Sequence, residues 1–386
     1  MDRVLQTDLQ QRRQQSLYRD RTTISSGCGE QLQVNGRSLH NFCSNDYLGL
    51  AGHGDIATAF KLGIDTYGSG SGASHLISGH CEAHHALEEQ LAEFTGRPRA
   101  LLFSSGYMAN MGVINALVGR SDLVLQDYLN HASLLDGGLL SRAKFQRYKH
   151  TDCDDLAAKL QIAEPGKSAR KLVVTDGVFS MDGDLAPVQQ LAAICHQHSS
   201  WLMVDDAHGF GVLGSNGGGL IEHCNLGVDQ VPVLVGTLGK AFGTYGAFVA
   251  GSNALIETLI QFSRSYIYTT ALPPAVAVAT SASLQLVQYE HWRRDKLDQL
   301  IARFRGAAQE VGLALMDSQT PIQPILLGDD QRVMDSAAKL RELGFMVGAI
   351  RPPTVPVGQG RLRITICANH TEQQVDALVD ALDQCQ

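Results

Sequence analysis

The chain has 386 residues, of which 44% are apolar and 18% are charged, and its formal net charge is −8. This length is more than one hydrophobic core usually serves, so we expect two domains. The acidic balance disfavours nucleic acid and anionic membranes as partners. No apolar stretch approaches the roughly 20 residues of a membrane span.

The cysteines and the N-terminal segment predict a cytoplasmic protein. Eight cysteines are irregularly spaced without a CxxC pair, which favours reduced thiols over a disulfide framework. The first 15 residues lack an apolar core and a small-residue cleavage site, so no signal peptide is expected. Residues 1–20 instead predict an amphipathic helix that acts as a packing arm, with an irregular apolar stripe formed by Val4, Leu5, Leu9 and Leu17.

After a short strand expected at Leu39–Cys43, apolar runs alternate with amphipathic segments from about residue 100 to residue 250. Runs that are apolar throughout are typical of strands covered on both faces. We therefore predict a mostly parallel sheet wrapped by helices. The strand candidates are Ala100–Phe103, Leu123–Leu125, Leu172–Thr175, Trp201–Val204, Val231–Val235 and Ala247–Ala250.

The pattern changes after about residue 285, where a smaller α/β domain is predicted. Helices are expected at 286–311, 331–343 and 371–384. The strand candidates between them are Ile322–Leu327, Met346–Ile350 and Arg361–Ile366. The predicted organisation is an N-terminal helix and arm at 1–45, a large domain at 46–285 and a small C-terminal domain at 286–386.

Reactive side chains follow five of the predicted strands in the large domain. In parallel α/β sheets, ligands bind outside the carboxyl ends of the strands. Five such loops at one edge are hard to explain by core packing, so this edge is the predicted ligand site. The residues are Ser104, Ser105, Gly106 and Tyr107; Asp127, Asn130 and His131; Asp176 and Ser180; Asp205, Asp206 and His208; and Thr237 and Lys240.

Lys240 and Asp205 have the strongest chemical signal within this set. Lys240 lies among small residues, where a planar ligand can approach the backbone closely, and burial would make its amine nucleophilic. Asp205 ends an apolar run, so its carboxylate needs a cationic partner, for which a protonated pyridine nitrogen is one candidate. His208 could reach the same ligand. Taken singly, each residue is also compatible with an ordinary structural role.

The sequence Ser105-Gly106-Tyr107 opens a predicted helix, and N–H groups at a helix N-terminus can bind a phosphate. A simple capping turn is the alternative. The glycines at 68, 70 and 72 resemble part of a dinucleotide fingerprint. They follow no predicted strand, and no acidic residue lies at the expected distance, so we discount them.

His80 and His84 have the i, i+4 spacing of a zinc-binding pair. No further ligand is evident near them in the sequence, and no metal site is predicted. Arg361 and Arg363 alternate with apolar residues, so both guanidinium groups leave one face of a strand. An exposed strand edge is the alternative interpretation of that pattern.

Together the motifs resemble the α-oxoamine synthase family of pyridoxal-phosphate (PLP) enzymes, from about residue 15 to the C-terminus. The resemblance implies the aspartate-aminotransferase-like α/β fold (fold type I). In that fold a mostly parallel seven-stranded sheet has helices on both faces, and a smaller C-terminal α/β domain follows. The motifs are SNDYLGL at 44–50, HASLLDG at 131–137, TDGVFSMDGDLAP at 175–187, VDDAHGFGVLG at 204–214, TLGKAFG at 237–243 and RPPTVPVGQGRLRIT at 351–365.

The resemblance implies PLP as the cofactor, with a role for each matching residue. Lys240 would bind the cofactor covalently and later remove the Cα proton of the substrate. Asp205 would pair with the pyridine nitrogen, and His131 would stack on the ring. The remaining implied contacts are His208 and Ser180 at the ring oxygen, Gly106, Tyr107 and Thr237 at the phosphate, and Thr269 at the phosphate bound by the other copy of a homodimer.

The implied reaction joins an amino acid to an acyl thioester with loss of CO2 and release of the thiol. The motifs are closest to the family member that uses L-alanine and a pimeloyl thioester, carried by coenzyme A or by acyl carrier protein, in biotin biosynthesis. Arg363 would clamp the amino acid carboxylate, and His131 would help to orient the substrate. Asn45, Arg19 and Thr354 match positions that line the substrate entrance.

Three alternatives remain open at this point. The first is a sister enzyme, such as a glycine acetyltransferase, an aminolevulinate synthase or a serine palmitoyltransferase. The second is a nucleotide-binding oxidoreductase built on Gly68–Gly72. The third is a non-catalytic partner subunit, which the complete set of Lys240, Asp205, His208 and His131 disfavours.

Overall fold

The structure is a computed structural model that describes residues 1–15, 17–162 and 169–385. It divides into two units. The terminal unit comprises residues 1–49, 181–184 and 295–386, and the middle unit comprises residues 50–180 and 185–294. The predicted domain limits at 45/46 and 285/286 stay a prediction.

The strands are β1 Gln31–Val34, β2 Arg37–Phe42, β3 Arg99–Phe103, β4 Leu123–Asp127, β5 Lys144–Tyr148, β6 Lys171–Asp176, β7 Trp201–Asp205, β8 Val233–Thr237, β9 Ala247–Gly251, β10 Ile322–Gly328, β11 Phe345–Ile350 and β12 Gly360–Thr365. The helices are α1 Asp2–Gln14, α2 Gly54–Tyr67, α3 Glu82–Phe94, α4 Gly106–Leu117, α5 Ala132–Leu140, α6 Cys153–Ile162, α7 Val188–Gln197, α8 Gly219–His223, α9 Asn253–Phe262, α10 Arg264–Ile267, α11 Pro274–Tyr289, α12 Trp292–Glu310, α13 Asp330–Glu342 and α14 Glu372–Asp383. A π-helical turn spans His75–Gly79.

The middle unit contains a seven-stranded sheet in the order β3-β9-β8-β7-β6-β4-β5. Only β9 runs antiparallel to its neighbours β3 and β8, so the predicted mostly parallel sheet is confirmed. The sequence pattern did not identify β5, because Lys144, Gln146 and Arg147 make this edge strand too polar to stand out as an apolar run.

Both faces of this sheet are covered. Successive side chains of a strand point to opposite faces. Leu101 and Leu102 in β3, and Val173 and Val174 in β6, are each at most 1% exposed. Apolar side chains of α4 and α9 belong to the same core cluster as the strands. This two-sided burial explains why the strands read as continuous apolar runs in the sequence.

The terminal unit contains a five-stranded sheet in the order β1-β2-β11-β12-β10. The β2–β11 pair is parallel and the other pairs are antiparallel. Strands from the N-terminal arm therefore complete a sheet whose other strands lie beyond residue 320. Strand β12 lies between β10 and β11 and is buried along its whole length, so the interpretation of Arg361 and Arg363 as an exposed edge is wrong.

Two helix predictions differ from the structure. The predicted helix at 286–311 is interrupted, because Glu290 leaves the helical conformation with φ −92° and ψ 61°. Nη1 of Arg294 donates to the Val287 carbonyl oxygen at 2.6 Å, which satisfies an acceptor at the end of α11. Helix α1 ends at Gln14, and Val4, Leu5 and Leu9 on its stripe are 66%, 49% and 45% exposed.

Among the described helices, none combines the length and the apolar composition needed to traverse a bilayer.

Phe248 tests the packing of the middle unit, because its ring is fully buried and lies 5.1 Å from the ring of Phe210. Phe248→Ala should lower the free energy of unfolding by about 3–5 kcal/mol, since it leaves a cavity in a close-packed core. Phe262→Ala is the matched control, because Phe262 is 65% exposed, and it should change stability by less than about 0.5 kcal/mol. Urea unfolding followed by circular dichroism measures both. Equal shifts in the two variants would contradict the described packing.

Candidate active site

The parallel strands of the middle unit end side by side at a cavity of about 530 Å³. In the pairing register, Asp176 of β6 lies opposite Asp205 of β7. Every residue predicted to bind the cofactor lines this cavity, except Thr269. The lining residues are Gly106, Tyr107, Asn110, His131, Ser133, Asp176, Ser180, Asp205, Ala207, His208, Thr237 and Lys240.

Lys240 is half-buried in the turn that joins β8 to β9. Its Nζ lies 2.6 Å from Nε2 of His208. Gly243 closes the turn with its N–H donating to the Lys240 carbonyl oxygen at 2.8 Å. Gly243 has φ +65°, and a Cβ atom there would collide with the backbone of Leu50 and Ala51. A glycine is required at this position for steric reasons, and the resulting tight turn presents the lysine to the cavity.

Asp205 is a buried carboxylate at the end of β7, with 6% of its surface exposed. Nδ2 of Asn110 donates to Oδ2 of Asp205 at 2.6 Å, and the N–H of Ala207 donates to Oδ1 at 3.0 Å. Burial of a carboxylate is costly unless donors or cations compensate for the lost water. These two donors fix the direction of the carboxylate within the cavity wall.

Asn110 and Ser133 connect Asp205 to His131. Nδ2 of Asn110 also donates to Oγ of Ser133 at 2.9 Å, and Oγ of Ser133 lies 2.7 Å from Nδ1 of His131. The N–H of His131 donates to Oδ2 of Asp176 at 2.7 Å. His131, which caps the N-terminus of α5, is thus held through both its backbone N–H and its imidazole ring. We call the side chains of Asp205, Asn110, Ser133 and His131 the Asp205–His131 network.

Sequence reasoning missed Asn110 and Ser133. Both are buried, at 1% and 0% exposure. Asn110 lies one turn into α4 among apolar residues, and a polar side chain at such a position is a signal that could have been used. Ser133 is separated from His131 by a single residue, but nothing in the sequence indicates which way its hydroxyl points.

The surroundings of Asp205 favour the neutral form of the two neighbouring carboxyl groups, those of Asp176 and Asp206. Burial raises the pKa of Asp176 well above its usual range, and the nearby charge of Asp205 raises it further. Burial likewise raises the pKa of Asp206 well above its usual range. Burial lowers the pKa of His131, an effect that Asp205 partly offsets. His131 therefore stays neutral to a lower pH than an ordinary histidine.

The N-terminus of α4 lies in the same wall of the cavity. Ser105 caps this helix, because its Oγ accepts from the N–H of Met108 at 3.3 Å. Gly106 and Tyr107 begin the helix, and N–H groups in the first turn have no intrahelical acceptor. Thr237, which also lines the cavity, adds a hydroxyl group. This end of the cavity is suited to an anion such as a phosphate.

In the terminal unit, Arg363 and Asn45 are brought together by β12 and the segment after β2. Nη2 of Arg363 donates to Oδ1 of Asn45 at 3.2 Å, and Nη1 donates to Oγ1 of Thr365 at 2.9 Å. Arg361, on the same strand, instead forms an ion pair with Asp182 at 2.6 Å. The two arginines that look alike in sequence therefore differ, because Arg361 is neutralised by a carboxylate close to it.

Arg19 and Thr354 also contact each other within the terminal unit, with Nη2 of Arg19 donating to Oγ1 of Thr354 at 3.2 Å. They line a groove that contains two further arginines, Arg341 and Arg351, and a single carboxylate, that of Asp20. The groove is therefore cationic. The segment Gly68–Gly72 follows α2 rather than a strand, so its resemblance to a dinucleotide fingerprint is accidental.

Residues 37–382 match the family described as aminotransferase class I and II. Among solved structures, the chain is similar to a serine palmitoyltransferase from S. paucimobilis with a bound PLP–myriocin aldimine, with a TM-score of 0.93 and 29% identity over 99% of this chain and 96% of that one. It is also similar to an 8-amino-7-oxononanoate synthase from Francisella tularensis, with a TM-score of 0.78 and 35% identity over 90% of this chain and 97% of that one. The predicted PLP-dependent fold is confirmed.

Curated relatives show to which branch of this enzyme family the chain belongs. An 8-amino-7-oxononanoate synthase from Saccharophagus degradans is 59% identical over 384 residues, which cover 99% of this chain and 96% of the relative. One from Pseudomonas fluorescens is 60% identical over 374 residues, or 97% and 94% of the two chains. The chain therefore belongs to the class I and II aminotransferase family and, within it, to the α-oxoamine synthases typified by 8-amino-7-oxononanoate synthase.

The cofactor of this family is PLP, and the residues of the cavity fit it. An aldehyde can react with the Lys240 amine, and the Asp205 carboxylate is the counter-charge that a protonated ring nitrogen requires. The helix N-terminus at Gly106 suits the phosphate, and the imidazole of His131 offers a flat face. The donor set therefore matches each functional group of the cofactor.

The pKa of His131 can be used to test this electrostatic description, because opposite charges act on it. Asp205 raises this pKa and Lys240 lowers it. In cofactor-free protein, Asp205→Asn should therefore move the pKa of His131 further down, and Lys240→Met should move it up. NMR of labelled histidine across a pH titration measures both shifts. An unchanged pKa in both variants would contradict this description, because it would show that burial alone sets the value.

Proposed function

We propose that the protein catalyses the condensation of L-alanine with a pimeloyl thioester to give 8-amino-7-oxononanoate, CO2 and a free thiol, in biotin biosynthesis. The observation that carries the proposal is the cavity that combines Lys240, Asp205, His208 and His131. The curated relatives described above, 59–60% identical to this chain, bear the corresponding name.

The cofactor is held by residues of the middle unit. Among the residues that line the cavity, Asp205 would pair with the ring nitrogen, and His208 and Ser180 would hydrogen-bond the ring oxygen. When bound, PLP withdraws electrons from the substrate Cα. The phosphate is bound by the N–H groups of Gly106 and Tyr107 and by the Thr237 hydroxyl. The Asp205–His131 network keeps the carboxylate and the stacking imidazole in a constant relative position.

Lys240 has two roles in the proposal. Its Nζ would hold the cofactor covalently, and the same Nζ would accept the Cα proton of the substrate. His208, 2.6 Å from Nζ in the structure, positions the amine for this transfer. The half-buried site limits water around the amine, which strengthens its electrostatic interactions.

The proposed substrate contacts are His131 in the middle unit and four residues in the terminal unit. Arg363, oriented by Asn45, clamps the alanine carboxylate, for which the planar guanidinium offers bidentate geometry. Arg19 and Thr354 line the entrance for the acyl thioester. The cationic groove that contains them supports an anionic carrier, either coenzyme A or acyl carrier protein.

A homodimer and a cytoplasmic location complete the proposal. Thr269 does not line the cavity of its own chain, which supports its predicted role at the phosphate of the other copy. Tyr268 beside it is 71% exposed, as expected for a residue near a subunit contact. The eight cysteines are all free thiols, which supports a reducing compartment.

The first test incubates the purified protein with pimeloyl-CoA and L-alanine, glycine or L-serine, and detects products by mass. L-Alanine should give 8-amino-7-oxononanoate, and preference for glycine or serine would favour a sister enzyme. Lys240→Ala should reduce turnover by at least about 10²–10⁴-fold, the contribution of a positioned proton-transfer group alone, and abolish the cofactor absorbance above about 400 nm. Lys61→Ala, at an exposed position of α2, is the control and should behave as wild type.

The Asp205–His131 network can be tested with Asn110→Ala. Removing the donor leaves the buried Asp205 carboxylate short of a partner, at a cost of about 1–3 kcal/mol, so kcat should fall roughly 5- to 150-fold with little change in KM. Asn115→Ala is the matched control in α4, because the Asn115 amide donates only to backbone carbonyls. It should leave kcat and the cofactor spectrum unchanged. Equal kinetic effects of both variants would show that Asn110 has only a structural role.

A further inference from the structure

A second chemically distinctive cluster lies in the middle unit, at the start of α3. The π-helical turn His75–Gly79 folds back so that His75 contacts His80 and His84. One nitrogen of each of these three imidazoles lies within 4.8 Å of the others. None of the three lines the PLP cavity. The sequence offered only the His80–His84 pair, and the fold adds the third imidazole.

We propose that His75, His80 and His84 form a binding site for one divalent transition-metal ion of the zinc class. Three imidazole ligands are a common set for Zn²⁺, and imidazole also suits Cu²⁺ and Ni²⁺. The exposed position of His80 leaves an entry path and room for water at the remaining coordination position. The ion would join the turn at His75 to helix α3.

The spacing of two of the ligand atoms, those of His75 and His80, is close to the spacing that such an ion needs. Nδ1 of His75 lies 3.0 Å from Nδ1 of His80. Two nitrogens at the usual distance of about 2.0–2.1 Å from a tetrahedral Zn²⁺ are roughly 3.3 Å apart, so a small adjustment admits the ion. In the metal-free protein one of these two nitrogens donates its N–H to the other, and the ion would take the place of that proton.

His84 carries the outer contact that is typical of a metal-binding histidine. Its Nε2 lies 2.5 Å from the Leu272 carbonyl oxygen, which selects the tautomer with Nε2 as the donor and leaves the Nδ1 lone pair for a ligand. That lone pair accepts the N–H of Cys81 at 3.1 Å. Sγ of Cys81 lies 3.3 Å from the same nitrogen. Binding of the ion would exchange these contacts for a metal–nitrogen bond.

One nitrogen of the buried His75 ring lacks a hydrogen-bond partner within the described part of the protein. His75 is 8% exposed, and its Nε2 has no hydrogen-bond partner among the described residues. The His75 ring stacks on the Tyr266 ring with 5.0 Å between the two centroids, and this contact fixes the plane of the imidazole. Buried polar atoms without partners are rare and often mark an absent ion or water.

A different set of ligands around His80 is less suitable. His85 and Glu88 also lie within 4.8 Å of a His80 nitrogen. However, burial raises the pKa of Glu88 to about 7, so its carboxyl is partly protonated near neutral pH. Its Oε1 is also occupied by the N–H of Leu102 at 2.9 Å. We therefore assign His84 rather than Glu88 as the third ligand.

The test uses the untagged, PLP-loaded protein after treatment with a chelator. Equilibrium dialysis against Zn²⁺ with elemental analysis should give one bound ion per chain, and Co²⁺ should give the visible absorption of a tetrahedral nitrogen site. His80→Ala should weaken binding by at least about 100-fold, because it removes a ligand at an exposed position where folding is not at risk. His75→Ala should weaken it similarly.

His85→Ala and Glu88→Gln are the matched controls, and both should retain one equivalent of metal. The proposal is overturned if wild type binds no stoichiometric metal or if His80→Ala binds as tightly as wild type. It is also overturned if Glu88→Gln loses the ion while His84→Gln keeps it. These outcomes do not depend on the condensation reaction, because the readout is bound metal and the Co²⁺ spectrum.

Discussion

The candidate active site depends on one buried negative charge, the carboxylate of Asp205. A carboxylate at the end of a buried strand is tolerated only when donors and a cation compensate for the lost hydration. Asn110 and the Ala207 N–H supply the donors. In the proposed function, the protonated ring nitrogen of PLP would supply the cation. Because Asn110 also holds Ser133, the same compensation positions His131. The same contacts thus compensate for the burial of the Asp205 charge and fix the position of His131.

The parallel register places the other functional groups around that charge. Strands that run in the same direction end at the same edge, so loops far apart in sequence meet there. Asp176 and Asp205 lie opposite each other on neighbouring strands, and burial, together with the charge of Asp205, raises the pKa of Asp176. The antiparallel β9 returns the chain directly after Lys240. The tight turn before it requires the left-handed Gly243.

The histidine cluster illustrates how a fold creates chemistry outside the main site. His80 and His84 are neighbours on any helix, but a pair alone rarely retains a metal. The π-helical turn brings His75 to 3.0 Å from His80. The terminal unit shows the opposite effect on its arginines. Arg361 is neutralised by Asp182, whereas Arg363 is oriented by Asn45 and Thr365.

The sequence determined the parallel sheet, because its strands are buried on both faces and appear as unbroken apolar runs. It also located Lys240, Asp205, His131 and His208, since each directly follows a strand or belongs to a specific motif. The sequence pattern did not identify β5, because this edge strand is polar and has no apolar run. Only the tertiary structure identified Asn110 and Ser133, the third histidine and the difference between the two arginines. Those properties depend on side-chain contacts between distant segments, and no local pattern in the chain encodes them.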